Sequence, residues 1–176
     1  MDYLNQREQY RCLYVNVEMA QAARGNVKDA MRTILNELAF NSFHYLNDDF
    51  LEKEKVKILK EYGEFLALQT GLSLWAKNSG KPLVILIDEV DSLVGDSLIS
   101  LLRQLRAGYT KKPFLFPHSL ILCWVRDVRD YRIHSEKEKA VITGGSAFNI
   151  KAKFLRLGNF HRPPNTWTNA VQMTGI

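Results

Sequence analysis

The chain has 176 residues, 46% of them hydrophobic and 24% charged, with a formal net charge of +5. That length suits one domain with a sizeable core, and no apolar run approaches the ~20 residues of a membrane span. The start, Met1 to Gln6, lacks a basic stretch followed by an apolar one, so no signal peptide is expected and the default location is the cytoplasm. Bases and acids are interleaved, as in Glu52-Lys53-Glu54-Lys55, which reads as a solvated helix face. The charge therefore gives nucleic-acid binding only weak support.

In chain order, Arg11 to Glu18 is rich in β-branched and aromatic residues and reads as a strand. Asn26 is placed to cap a following helix. Val27, Ala30, Met31, Ile34, Leu35 and Leu38 recur at steps of three and four, on one helix face. Asp48 to Glu64 is charged and expected to be helical. Phe65, Leu68, Leu72 and Trp75 mark a further amphipathic helix, stopped by Asn78-Ser79-Gly80-Lys81-Pro82. The unbroken apolar run Leu83 to Ile87 suggests a strand covered on both faces of a parallel sheet.

Asp96 is expected to cap the next helix, which buries Leu98, Leu101, Leu102 and Leu105 and stops at Gly108. Ser119 to Val125 reads as a third strand, about 127 to 149 as a polar loop, and a last short strand is expected within Ala152 to Leu157. The tail from His161 to Ile176 is irregular, with Pro163-Pro164 forbidding a helix interior. Strands alternating with helices give an α/β fold with a mainly parallel sheet. Cys12 and Cys123 each lie in an apolar strand-like run and are expected to be buried free thiols. His44, His118, His134 and His161 show no metal-ligand spacing.

The chemistry-bearing feature is Leu83-Val84-Ile85-Leu86-Ile87-Asp88-Glu89, an apolar strand ending in two acids, the Walker B pattern. A parallel strand holds such carboxylates at its C-terminal end, where open α/β sheets bind ligands. Asp88 is suited to hold Mg2+ through water, because that ion keeps part of its hydration shell. Glu89 is suited to polarise a water for attack on a terminal phosphate. Arg126, after the third strand, is a candidate to approach that phosphate; the competing reading is an ion pair with Asp127 or Asp130.

The stretch from Pro82 to Tyr109 resembles the bacterial AAA-like ATP-binding proteins of the P-loop class. The similarity continues in Val125-Arg126-Asp127-Val128-Arg129-Asp130-Tyr131, in Ser146 to Lys151, and in Tyr14 to Glu18 with the helix after it. The resemblance covers roughly 10 to 160, so 1–160 is expected to form a partial AAA-like ATPase domain. It implies a P-loop three-layer sandwich, ATP and Mg2+ as ligands, Asp88 at the metal position, Glu89 at the water-activating position and Arg126 at the sensor position.

Three departures qualify that expectation. The Walker A sequence G-x-x-x-x-G-K-[ST], whose backbone N–H groups, lysine and hydroxyl grip phosphates and metal, is absent. The sole Gly-Lys pair, Gly80-Lys81, precedes Pro82 and lies at the wrong end of its strand, and Gly144-Gly145-Ser146 has no lysine. Trp124 stands where the family has a small residue, and the tail abandons an expected acidic helix. The chain is thus expected to be truncated before Walker B, to lack the Walker A strand and to be unable to hydrolyse ATP alone. The alternative is a non-enzymatic interaction module on the same fold. The missing strand leaves an exposed sheet edge, and with it a route to self-association or a protein partner.

Overall fold

The computed structural model of the chain describes residues 1–112, 114–124, 132–135 and 140–143. Helix α1 (Asp2–Gln6) precedes strand β1 (Arg11–Asn16), and a 3-10 turn over Glu18–Ala23 leads into α2 (Val27–Leu46). Helices α3 (Phe50–Tyr62) and α4 (Glu64–Asn78) return the chain to β2 (Leu83–Asp88), followed by a short 3-10 turn over Val90–Ser92. Then come α5 (Gly95–Tyr109), β3 (Ser119–Leu122) and the strands β4 (Arg132–Ser135) and β5 (Ala140–Thr143).

The protein is α/β. Among the described residues its main sheet has three parallel strands in the order β1-β2-β3, with Leu13 opposite Ile85 and Ile85 opposite Leu120. Both crossovers step the same way across the sheet. Because such crossovers are right-handed, α2 to α4 and α5 are delivered to the same face. Leu13, Val15, Ile85 and Ile87 point into that side and form one core with Ile34 and Leu38 of α2, Leu68 and Leu72 of α4, and Leu101 and Leu105 of α5.

The opposite face is less covered. Strand β2 alternates between buried and half-buried residues, so the expectation of full cover on both faces is corrected: only Leu83, Ile85 and Ile87 are shut from solvent. Across the other face Tyr14, Leu86 and Ile121 stand in one row, and Tyr14 and Ile121 are 43% and 44% exposed.

Asn26 caps α2 as its position predicts, its Oδ1 accepting from the backbone N–H of Lys28 and Asp29. Asp96 does not cap α5. Val94 holds that position without a side-chain bond, and Asp96 sits in the first turn, where a carboxylate favours the positive end of the helix dipole. Nor does Gly108 end α5, which runs on to Tyr109. The glycine is needed for packing, since a β-carbon there would overlap the buried Phe116 ring. The expected polar loop over 127–149 contains the antiparallel pair β4–β5. The strand expected within 152–157 and the tail from 161 lie outside the described residues.

Two side chains bind elements together. Asp48 accepts from Trp75 Nε1 at 2.8 Å and from the Phe50 N–H at 3.0 Å, and pairs with Arg11 at 2.7 Å. It thereby ties β1, the start of α3 and α4. Gln104 of α5 accepts from the N–H groups of Leu68 and Gln69 in α4.

The two edges of the sheet differ. Outside β1, the Asn5 carboxamide accepts from the Cys12 N–H at 2.7 Å and donates to the Cys12 carbonyl at 2.9 Å, occupying both groups as a neighbouring strand would. On β3 the Cys123 N–H bonds Ile87 of β2, so by alternation the backbone groups of Leu120 and Leu122 face away from β2. Among the described strands none pairs there, and Ser119 to Trp124 carries neither charge nor proline.

Candidate functional site

The acidic pair occupies the C-terminal end of β2, the middle strand. Asp88 is the last residue of the strand, beside Asn16 of β1. Both of its carboxylate oxygens are engaged among the described residues: Oδ2 accepts from the Tyr14 hydroxyl at 2.8 Å and Oδ1 from the Glu89 N–H at 2.9 Å. Tyr14 was not identified from sequence as a partner of Asp88. The signal was nevertheless there: alternation puts positions 14 and 16 on one face of β1, and a tyrosine two residues back is long enough to reach diagonally.

Glu89 leaves the strand with φ 57° and ψ 34°. This left-handed conformation is uncommon for a residue with a side chain and gathers at functional sites. It turns the chain at once into the 3-10 segment that buries Val90, and the Glu89 side chain is exposed.

The Asp88 hydrogen bond raises the Tyr14 phenol above its ordinary value, and burial adds to the effect. Burial also raises the Cys123 thiol, with the Asp88 charge adding to it. Cys123 is half-buried, which corrects the expectation that both thiols are buried; Cys12 is buried, and both are free.

The sign for Tyr14 follows from linkage. A folded pKa above the unfolded one means that the contribution to stability is complete below the unfolded value and is lost as pH rises through the folded value. Asp88→Asn is therefore expected to bring the Tyr14 ionisation down toward ~10. Tyrosinate absorbance, taken as the difference between chains with and without Tyr14→Phe, reads it. An ionisation unmoved by Asp88→Asn would show that the bond does not hold the phenol.

Magnesium can be tested against these groups. A carboxylate oxygen can accept more than one hydrogen bond, so the bonds to Tyr14 and Glu89 leave room for a water-mediated contact to the ion as far as the described residues go. Among the described residues no cluster of three or more acidic, histidine or cysteine side chains could enclose a metal. The end of β2 thus offers one acidic contact and needs the remaining oxygens from water and phosphate. Arg126 lies outside the described residues, as does Gly144-Gly145-Ser146. Gly80-Lys81 precedes β2 and so lies at the opposite end from Asp88. There Lys81 reaches Glu8 at 3.8 Å. Trp124 packs on the helix-covered core. Among the described residues no helix is long and apolar enough to cross a membrane.

No family model, no curated protein and no solved structure matches the chain.

Proposed function

We propose that this chain is an AAA-like ATP-binding domain that supplies the acidic half of a nucleotide site. Asp88 would hold a magnesium ion through water, and Glu89 would orient a water toward the terminal phosphate. The ion, when bound with ATP, supplies neutralisation of phosphate charge. The observation that carries this reading is the placement of both acids where the middle strand of a parallel sheet ends, with Glu89 in a left-handed turn. The Tyr14 bond fixes Asp88 in that position.

The same reading predicts little turnover by this chain alone. Two carboxylates face a polyanion, and the sequence contains no G-x-x-x-x-G-K-[ST] to grip it. Weak Mn2+–ATP binding is expected, seen as selective paramagnetic broadening of the amide signals of Asp88, Glu89 and Val90, without phosphate release above buffer. Asp88→Asn should abolish the broadening. Absence of selective broadening, or its persistence in Asp88→Asn, would overturn the nucleotide reading. Micromolar affinity with steady turnover would overturn only the claim that the chain is incompetent alone.

A further inference from the structure

Helix α2 buries Ile34, Leu35, Leu38, Ala39 and Ser42 on one side. An amphipathic helix is expected to be polar on the other. Instead the outer face carries Phe40 and Phe43, 56% and 47% exposed. The His44 ring lies against both, with centroid distances of 4.2 Å to Phe40 and 5.1 Å to Phe43. These three rings form one wall of a groove of about 420 Å³ between α2 and α3, within the range of small-ligand sites. Glu37, Glu52 and Lys55 complete the part of the lining that carries charge. Lys55 is held by both oxygens of Glu52, at 2.8 and 2.9 Å, and Glu37 touches Asn41 at 3.3 Å.

The charge in the groove runs against that of the whole molecule. Glu37 and Glu52 outnumber Lys55, in a chain of net charge +5. Ring faces carry the negative part of the aromatic quadrupole and attract cations. A flat, weakly hydrated cation able to stack on a ring and bond a carboxylate through a fork fits this combination better than an ammonium does. We propose that the α2–α3 groove binds an arginine side chain presented by a protein partner, its guanidinium stacked on Phe40 and Phe43 and bonded to Glu37.

The test is a titration of the full chain with acetyl-arginine amide, followed through the ring proton signals of Phe40 and Phe43. Saturable shifts confined to these rings and their neighbours are expected. Acetyl-lysine amide should bind more weakly, and acetyl-norleucine amide should produce no saturable shift. Glu37→Gln should weaken arginine binding about tenfold, the worth of one exposed charge-assisted hydrogen bond. Phe40→Ala, at an exposed position, should abolish it in a chain that keeps its other signal dispersion. Equal binding of the norleucine or lysine derivative would overturn the assignment to a guanidinium. So would an affinity indifferent to Glu37→Gln, or the absence of any saturable shift.

Discussion

Replacing Asp48 with alanine is expected to cost about 3 kcal/mol of folding free energy, the low end of the range for breaking a buried ion pair. The carboxylate is 9% exposed and serves three partners from three elements: Arg11 in β1, the Phe50 N–H at the start of α3, and Trp75 Nε1 in α4. Removal leaves the buried Trp75 donor and a mostly enclosed guanidinium unpaired, and an orphaned buried group costs more than the bond it made. The low end applies because Arg11 keeps 23% of its side-chain exposure, so water recovers part of the loss. Arg11 also donates to the Leu46 carbonyl at 2.9 Å, which holds the cation in place after Asp48 is gone. Urea unfolding of the variant beside Trp75→Phe reads the effect. Trp75→Phe removes that donor together with part of a fully buried ring and should cost about 2 kcal/mol. If Asp48→Ala proves no worse than Trp75→Phe, the three-way tie is not a significant source of stability.

The second large effect is at Gly108, where two principles give opposite signs. Glycine inside a helix is worse than alanine by about 1 kcal/mol, so propensity alone makes Gly108→Ala stabilising. Packing opposes this. A β-carbon at 108 would occupy the space of the Phe116 ring, and that ring is 1% exposed and set in the core. Overpacking of this kind costs about 1–3 kcal/mol, so Gly108→Ala is expected to lower the unfolding midpoint. The sign should reverse when Phe116→Leu makes room, because only propensity then remains. A midpoint that rises in the parent chain would refute the close approach of α5 to the segment bearing Phe116.

These two sites show where sequence reading succeeds and where it stops. The apolar face of α2, its Asn26 cap and the apolar run of β2 are local patterns, and the structure places them as read. Gly108 reads as a helix stop because glycine is common there, yet its reason lies eight residues away in Phe116. Asp96 has the chemistry of a cap, but the cap position falls two residues earlier, at Val94. The unbroken run Leu83 to Ile87 reads as doubly covered, since apolar content does not record which way a crossover turns. Handedness decides that, and it sends both connections to one face. At the candidate site the position of Asp88 and Glu89 was legible from the strand. The left-handed turn at Glu89 was not, because no glycine or asparagine announces it. The aromatic residues on the outer face of α2 give no periodic signal of their own, because the core-facing stripe of the same helix accounts for its period.

The edges of the sheet carry a consequence for assembly. A strand edge can recruit a neighbour, and a sheet with two open edges can go on recruiting without limit. Here the start of β1 already has a substitute neighbour, since Asn5 occupies both backbone groups of Cys12. β3 has no such plug among the described residues. The two edges are thus unequal: the outer side of β1 is occupied at Cys12, and that of β3 is paired with no described strand. One carboxamide near the start of the chain thereby takes up the backbone pair with which a neighbouring strand would first engage that edge.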